Sequence, residues 1–334
     1  PLNPFGINNV SQAALDFVFK PATNTQQIDQ TVIGLTFTGD TGSFANLPAG
    51  PVYYAGGFEY RKERASFDFD TLEELGLFGG AATDSSSSFD VSEVFAEFSL
   101  PIVDTLTVDA AVRFADYSHA GNATAWKVGG SWWPMERLGF RGTFSEAVRA
   151  PNLTEAFSPP SSANFLPTDL CDLDVLPNES ATVASNCAAL GLDPTFDSFD
   201  GLTIFGSVSG NDMLTPEESD SYTFGVVFRP FDSSEITIDY YEIEIADAIA
   251  TIGGQDIVNL CLRDPSGINN QFCDRIDRNP GPGLTPRGIP VGGITDIRSG
   301  FVNVAALETS GIDVTASLFG EASDWTFGLV NEGQ

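Results

Sequence analysis

The sequence predicts an all-β protein of about ten strands. Apolar or small residues occupy every second position along most of the chain, as in residues 93–100 and 106–114. Short turns alternate with longer connections between these segments. The short turns are predicted at residues 47–51, 101–105, 133–137, 230–233 and 320–323. The chain has no run of 18 or more apolar residues, so a transmembrane helix is not predicted.

The composition restricts the possible functions. The chain has 334 residues, with 15 Lys and Arg against 46 Asp and Glu, and a formal net charge of -31. A surface this acidic repels phosphates, which excludes nucleic acid as a partner. With 42% hydrophobic and 11% aromatic residues, the chain is not a disordered acidic tail. Its length fits one large all-β domain or two ordinary ones.

The N-terminal third contains a short amphipathic helix, predicted at about residues 11–19, and two strands. The first strand is predicted near residues 31–46 and the second over residues 52–67. A loop rich in Gly and Ser then leads to the clearest hairpin. Its two strands carry apolar faces formed by Val94, Ala96, Phe98 and Leu100, and by Leu106, Val108, Ala110, Val112 and Phe114. The opposite face carries charged residues; it points to solvent in a soluble sandwich and to the lumen in a wide barrel.

The next strand, over residues 123–133, carries Trp126, Val128, Gly130 and Trp132 on one face. Trp132 and Trp133 lie beside a turn, as in the aromatic girdle of a membrane barrel; a sandwich core is the alternative. A strand from Leu138 follows and opens into a loop of about sixty residues. Further strands are predicted over 222–228 and 235–245, from Arg298 to Phe319, and at the C-terminus, where the last one is incomplete.

The strand from Leu138 runs into the sequence SEAVRAPNLTEAF, residues 145–157. This sequence closely resembles the barrel motif of TonB-dependent outer-membrane receptors, in which a strand is followed by a run such as SxxxRAPxLxELF. Ala156 stands where Leu is usual in that motif. The matching residues are Phe144, Ser145, Arg149, Ala150, Pro151, Leu153, Glu155 and Phe157.

Two further runs resemble the same family. Residues 210–230 are similar to its pattern GNPxLxPExSxxxxxGxxxxP, with Asp212 in place of the usual Pro. The long strand near the C-terminus is similar to a pattern of Asn followed by Ser-Gly-Ile/Val-Asp/Glu. The matching residues are Gly210, Asn211, Leu214, Pro216, Glu217, Ser219, Gly225 and Pro230 in the first run, and Asn303, Ser310, Gly311, Ile312 and Asp313 in the second.

The resemblance implies part of a large antiparallel transmembrane β-barrel, with short periplasmic turns and long extracellular loops. Such transporters have 22 strands and a plugged lumen. Residues 1–334 are therefore expected to be a fragment of the barrel domain, without the plug domain, the TonB box and the C-terminal strands.

For the intact protein, the resemblance implies a place in the outer membrane of a Gram-negative bacterium and import of a scarce nutrient. The expected nutrient is siderophore-bound iron, cobalamin or an oligosaccharide, carried with energy supplied through TonB. The expected partners are the TonB–ExbB–ExbD complex, outer-membrane lipid, the barrel assembly machinery and the small-molecule or oligosaccharide ligand.

Two other classes of protein stay open at this point: a passive porin-like barrel, and a soluble secreted β-sandwich that binds a ligand. Catalytic, cofactor-binding and metal-binding residues are not predicted, and the protein is not expected to be an enzyme. The single histidine, His119, lies in a short loop and is expected to be solvated. Ligand-binding residues are not assigned. The side chains expected along the lumen wall, and there solvated, are Glu93, Glu97, Asp109 and Arg113.

The four cysteines fall as two pairs, Cys171 with Cys187 and Cys261 with Cys273, each inside one of the two longest loops. Four cysteines allow three connectivities. The two local disulfides are favoured because closing each loop separately does not require the loops to meet. Disulfides fit the oxidising periplasm. A zinc site is the alternative, but the paired short spacing that such sites use is missing.

Overall fold

The computed structural model describes residues 10–77, 83–198, 201–322 and 325–333. Its strands, in chain order, are β1 (Thr25–Asp40), β2 (Asn46–Leu47), β3 (Gly50–Pro51), β4 (Tyr53–Asp68), β5 (Ser85–Val103), β6 (Leu106–Tyr117), β7 (Gly121–Met135), β8 (Leu138–Arg149), β9 (Ser161–Phe165), β10 (Ile204–Ser209), β11 (Glu217–Phe228), β12 (Ser234–Thr251), β13 (Ile276–Arg278), β14 (Ile294–Ala322) and β15 (Trp325–Gly333). The helices are α1 (Gln12–Val18), α2 (Thr71–Glu74), α3 (Leu153–Phe157), α4 (Ala181–Ala189) and α5 (Gly254–Leu262), with 3-10 turns at Leu176–Asn178 and Cys273–Arg275.

Ten of these strands form one antiparallel wall, in the order β1–β4–β5–β6–β7–β8–β11–β12–β14–β15. Each strand of the wall pairs with the next long strand of the chain, so short turns gather at one end and long loops at the other. We call these the turn end and the loop end. The all-β prediction and the count of ten long strands are confirmed. No helix in the described residues is long and apolar enough to cross a membrane.

The wall has two chemically different faces. From β4 to β14, even-numbered residues form an apolar face and odd-numbered residues form a polar face, and pairing keeps each face continuous. Phe98, for example, lies opposite Tyr54 on one side and Ala110 on the other. The apolar face exposes large side chains, such as Phe224 at 56% and Ile312 at 55%. A continuous band of exposed large apolar groups is not a soluble surface but an interaction surface.

Aromatic side chains cluster on the apolar face at two heights. Near the turn end, the rings of Trp132 and Phe140 lie 5.6 Å apart. Nearer the loop end, Phe144 lies 4.9 Å from Trp126 and 4.7 Å from Tyr222. Trp132 stays 49% exposed, so it is not packed in the core of a sandwich. The placement fits the girdle interpretation, with aromatic groups bordering an apolar band.

The first strand differs from its predicted position. It spans Thr25–Asp40 rather than residues 31–46, because it pairs along its whole length with β4, from Thr25 opposite Asp68 to Asp40 opposite Tyr53. Residues 25–30 are mostly polar, so they lack the apolar alternation on which the prediction depended. The turn after β1 is longer than predicted and contains the two-residue strands β2 and β3. The last predicted turn, 320–323, falls on the end of β14 and on residue 323, which lies outside the described residues.

The two longest loops fold together into one compact unit, the cap (residues 158–198, 201–209 and 252–303). β10 runs parallel to the first part of β14, β9 pairs with β10, and β13 pairs with β14. The cap has its own hydrophobic core, to which α4, α5 and the first part of β14 contribute. The buried side chains of this core are Leu170, Cys171, Val183, Cys187, Ile204, Ile252, Ile257, Val258, Cys261, Leu262, Ile289, Ile294, Ile297 and Val302.

Strand β14 therefore belongs to two structures. Val302 is buried in the cap core, whereas Ile312, in the same alternation, is exposed on the apolar face of the wall. The prediction that residues 298–319 form one strand is confirmed, and this strand passes from the cap core into the wall. The change occurs where the register between β12 and β14 shifts, between Ile245 and Ala248. There Asp247 takes the left-handed backbone conformation, with φ of 53°.

Candidate functional site: the motif junction and the cap

Arg149 is the centre of an ion-pair network at the loop end of the wall. Its Nε and Nη2 donate to the two carboxylate oxygens of Glu217 at 2.6 and 2.8 Å. Its Nη1 donates to the oxygens of Glu155 at 2.9 and 3.1 Å. The side chains of Glu155 and Glu217 are 13% and 14% exposed, and that of Arg149 is 45% exposed. One planar guanidinium thus joins β8, α3 and β11 through paired hydrogen bonds.

The segment that follows β8, which we call the motif segment (residues 149–157), is fixed by its own sequence. Pro151 is buried and cannot continue the strand ladder. The Asn152 side chain then accepts hydrogen bonds from the backbone of residues 154 and 155, while the Glu155 carboxylate accepts from the Asn152 N–H at 2.9 Å. This capping box starts α3. The helix buries Leu153 against the polar face of the wall, near the loop end.

The second predicted motif meets the first one directly. The N–H of Asn211 donates to the carbonyl of Glu155 at 2.8 Å, and the N–H of Gly210 donates to the carbonyl of Ser158 at 2.9 Å. A Cβ on Gly210 would lie 2.6 to 2.8 Å from backbone atoms of residues 156–158, so only glycine fits here. Leu214 is buried beside this contact, and Pro216 leads into β11. The glycine of the motif is therefore explained by a close approach of two backbones.

The third motif contributes Asn303, which joins three segments. Its side-chain N–H donates to the carbonyls of Thr215 and Asp247 at 2.9 and 2.7 Å, and its Oδ1 accepts from the Thr215 N–H at 2.9 Å. Asn211 also reaches β14, donating to the carbonyl of Phe301 at 3.0 Å. The later part of the first motif and the beginnings of the other two therefore meet at one place at the loop end. We call this place the motif junction.

Other motif residues lie outside the motif junction. Gly311 lies beneath the ring of Tyr241, where a Cβ would be 2.7 Å from the Tyr241 hydroxyl oxygen. Asp313 lies on the polar face opposite Asp239, and its buried Oδ1 has no hydrogen-bond partner among the described residues. Of the remaining motif positions, Phe144, Ser145, Ser219 and Ser310 lie in strands, Ala150 precedes α3, Phe157 ends α3 and Pro230 lies in the turn after β11.

The polar face forms a broad concave surface nearer the turn end. A cavity of about 590 Å³ lies on it, lined in part by Glu97, Asp109, Lys127 and Arg141. Arg141 crosses β11 to reach Asp239 on β12, donating at 2.7 Å. That crossing needs a glycine at position 225 between them, because a Cβ there would lie 1.9 Å from the Asp239 carboxylate.

The four residues predicted to line the lumen do not all lie in this cavity. Glu97 and Asp109 border it, whereas Glu93 is only 5% exposed and pairs with Arg113, Nη1 to Oε2 at 3.3 Å. The prediction that all four are solvated is therefore wrong for Glu93. Arg113 and Tyr117 both contact this carboxylate, and Tyr117 also packs against the cluster that contains Leu153 of α3. Such contacts are not visible in the alternation of a single strand.

His119 is not the solvated loop residue that the sequence predicts. Its ring lies 4.3 Å from that of Phe89 and 5.5 Å from that of Phe157, between the wall and α3. Its Nε2 donates to the carbonyl oxygen of Pro151 at 3.2 Å. Burial lowers the pKa of His119 below its ordinary value of 6.5, against the opposing effects of the Pro151 hydrogen bond and of Glu63. His119 thus ties the β6–β7 loop to the motif segment.

Both disulfides lie inside the cap. The structure joins Cys171 to Cys187 and Cys261 to Cys273, which are the two local pairings that the sequence favours. Three of the four cysteine side chains belong to the buried core of the cap, and Cys273 packs against it. Each disulfide therefore closes its own loop and also packs against the other loop. The second of these roles could not be inferred from cysteine spacing.

Polar contacts also join the two loops of the cap. Arg278 donates to both carboxylate oxygens of Asp169 at 2.5 and 3.0 Å, and both side chains are mostly buried, at 13% and 4% exposed. The Asn186 side chain donates to the carbonyls of Leu262 and Asp264 at 3.0 and 2.9 Å. These bonds and the shared core make the cap one packed unit rather than two separate loops.

The comparisons with known proteins agree with this architecture. The family described as TonB dependent receptor-like, beta-barrel matches residues 4–332. The chain belongs to the TonB-dependent receptor family. No curated protein matches this chain in sequence. Proteins of the family are β-barrels of the Gram-negative outer membrane and act as transporters rather than enzymes.

Solved receptors have the same fold. The siderophore receptor PirA from Acinetobacter baumannii superposes with a TM-score of 0.58 at 14% identity, over 92% of this chain and 37% of that one. PirA from Pseudomonas aeruginosa gives 0.54 at 12% identity, over 92% and 44%. The ferric enterobactin receptor of Pseudomonas aeruginosa, in complex with enterobactin, gives 0.54 at 16% identity, over 91% and 36%. The chain thus spans less than half of these receptors, and the likeness shows the fold alone.

The polar contacts of the motif junction join segments of the chain to one another. Among the described residues, no group of three or more His, Cys, Asp or Glu side chains lies close enough to hold a metal ion. The charged groups of the motif junction are paired with one another, as the bonds of Arg149 show.

Proposed function

We propose that the intact protein is an outer-membrane receptor of a Gram-negative bacterium that imports a scarce nutrient with energy supplied through TonB. The observation that carries this proposal is the family match over residues 4–332, on a wall that is apolar on one face and polar on the other. The apolar face would meet lipid and the polar face would line the lumen. The cap would stand outside the cell and receive the ligand.

Residues 1–334 would form part of the barrel domain of a longer protein. Ten wall strands are a little under half of the 22 strands of such transporters. The same proportion appears in the 37% and 44% of the PirA receptors that the chain spans. We propose that the remaining strands, a plug domain inside the lumen and a TonB box are supplied by the rest of the protein. The TonB–ExbB–ExbD complex and the barrel assembly machinery are then its partners.

The ligand would be an iron–siderophore complex, cobalamin or an oligosaccharide. The names of the similar structures favour the first of these, since they include siderophore receptors and a ferric enterobactin receptor. A rigid cap cross-linked by two disulfides is suited to presenting a preformed binding surface, which reduces the entropy lost on binding.

A passive porin-like barrel is the second candidate. It would share the two-faced wall and the unpaired apolar surface, and it differs from a receptor in needing neither a plug nor an energy source. The soluble β-sandwich no longer fits, because the wall is one sheet with an uncovered apolar face rather than two sheets packed on each other.

Deletion of the encoding gene tests the proposal while the ligand is still unidentified. Spent medium of the parent, the deletion strain and a strain without TonB would be compared by mass spectrometry. We expect at least one compound to be retained equally in the medium of both mutant strains. Retention in the deletion strain alone would indicate a passive pore. No retained compound in a panel of nutrient-limited media would contradict the import function.

A further inference from the structure

His119 lies where a change in its protonation state would affect the packing of the motif segment on the wall. It is the single histidine of the chain, and it lies at the loop end of the wall, in the turn between β6 and β7. Its ring is packed between Phe89 of β5 and Phe157 of α3, with the edge of Tyr117 at 6.4 Å. It is thus the only side chain of the chain whose type titrates near neutral pH, and it is wedged beneath the motif segment.

The hydrogen bonds of the ring fix which nitrogen carries the proton. The carbonyl oxygen of Pro151 only accepts, so Nε2 of His119 carries the hydrogen and Nδ1 is bare in the neutral ring. Nδ1 is buried and has no hydrogen-bond partner among the described residues. Protonation would therefore place an N–H and a positive charge in an apolar site where nothing accepts the hydrogen. A buried donor without a partner disfavours the packed state.

We propose that His119 is a pH-responsive latch, which holds the motif segment against the wall when the ring is neutral and releases it when the ring is protonated. The latch follows from the local contacts and does not require the proposed import function. If that function holds, release of the segment would loosen the motif junction beneath the cap and so change access to the lumen in mildly acidic surroundings.

The other charged groups around the ring do not replace it as the sensor. On the packed elements, the ionisable side chains on the polar face towards the loop end are Arg61 and Glu63 on β4, Glu93 on β5 and Arg113 and Tyr117 on β6, and the motif segment adds Arg149 and Glu155. Their types ordinarily titrate below or above the range from pH 7.5 to pH 5.5. Glu63 favours the charged ring, but desolvation is the larger effect. The latch is therefore closed above pH 6.5 and weakens as the pH falls below that value.

Hydrogen exchange in the full-length receptor, in detergent or nanodiscs, tests the latch. Exchange of peptides covering residues 150–158 would be compared at pH 7.5 and 5.5, after correction for the intrinsic pH dependence. Lowering the pH to one unit below the ordinary histidine pKa reduces the equilibrium constant for closing by up to about tenfold, because the closed state disfavours the protonated ring. We expect faster corrected exchange at pH 5.5 in this segment, up to that factor, and no change in residues 254–262 of the cap.

Two variants separate titration from packing. His119→Phe keeps an aromatic ring in the stack, and His119→Gln keeps a donor for the Pro151 carbonyl; neither is charged at pH 5.5. Both should show the same corrected exchange at the two pH values. A wild-type protein without the pH effect overturns the latch, whether or not the variants fold. An equal pH effect in wild type and in either variant assigns the effect to another group and also overturns it.

Discussion

Replacing Arg149 by alanine should loosen the motif junction by a measurable and local amount. The change leaves the carboxylates of Glu155 and Glu217 without a cation, although their side chains are only 13% and 14% exposed. Removing one partner of a fully buried pair costs about 3–5 kcal/mol. Because the Arg149 side chain is 45% exposed, water would solvate part of the vacated site, and we expect about 2 kcal/mol.

The loss should be visible at a named amide. The N–H of Ile249 donates to Glu217 Oε1 at 2.6 Å, so it reports on the position of that carboxylate. A loss of about 2 kcal/mol corresponds to a roughly thirtyfold larger opening equilibrium. Hydrogen exchange of peptides that contain residues 152–158 and 249 should accelerate accordingly in Arg149→Ala. Arg149→Lys keeps the positive charge but loses the paired hydrogen bonds of the planar guanidinium, so we expect a smaller acceleration of exchange in this variant.

A matched control lies at the turn end of the wall. Arg137 pairs with Asp232 at 3.4 Å, with side chains 60% and 99% exposed, so Arg137→Ala should cost under about 1 kcal/mol. It should leave the exchange of the motif segment unchanged. If Arg149→Ala and Arg137→Ala gave the same exchange within twofold, the motif junction would not depend on Arg149 and the reasoning would be refuted.

Three further changes test the wall and the cap. Gly225→Ala should destabilise the barrel by about 1–3 kcal/mol in urea unfolding, because the new Cβ would lie 1.9 Å from the Asp239 carboxylate. Gly142→Ala should cost less, because its Cβ would lie 3.4 Å from its nearest neighbour. Equal losses of stability in the two variants would contradict this explanation. Phe224→Arg on the apolar face should cost about 2–4 kcal/mol if it lies near the midplane of the bilayer, and Thr223→Arg on the polar face should cost much less. A barrel that tolerates Phe224→Arg, and equally Val108→Arg, would contradict the assignment of the lipid face. Replacing Cys171 and Cys187 together by alanine should lower the stability of the cap by about 3 kcal/mol, read as faster exchange in residues 181–189; unchanged exchange there would show that the core alone holds the cap.

The wall was predictable because its signal is local. A strand with one apolar and one polar face repeats every two residues, and the short turns interrupt the repeat at regular places. Where the strand ends are polar, as in residues 25–30, the alternation disappears although the pairing continues. The start of β1 was therefore misplaced, while the number of wall strands was right.

The cap was not predicted because its core joins residues from two loops that are distant in sequence. One local signal was present: Ile257, Val258, Cys261 and Leu262 recur with helical spacing and form the buried face of α5. That spacing predicts a helix with an apolar side, and hence a partner for it, inside what otherwise reads as a loop. The identity of the partner, including Val183 of α4, depends on the tertiary fold.

The motifs were recognised, but their roles came from geometry. The sequence shows Arg149, Gly210 and Asn303 in three separate runs, and nothing in their spacing says that they meet. Strand pairing brings these runs to the same end of one sheet. There the glycine allows contact between two backbones, the asparagine joins three segments, and the arginine neutralises two buried carboxylates. Because these residues are far apart in the sequence, the pattern of any single strand does not reveal their contacts.

The most direct test of energised import is uptake of the retained compound before and after collapse of the proton-motive force. The compound, isotopically labelled, would be given to cells that produce the full-length receptor and to the deletion strain. After a protonophore is added, we expect receptor-dependent binding of the compound at the cell surface to persist. Receptor-dependent accumulation of the compound beyond the outer membrane, in the periplasm and cytoplasm, should stop. Accumulation that continues at an unchanged rate would contradict energised transport and leave a passive pore.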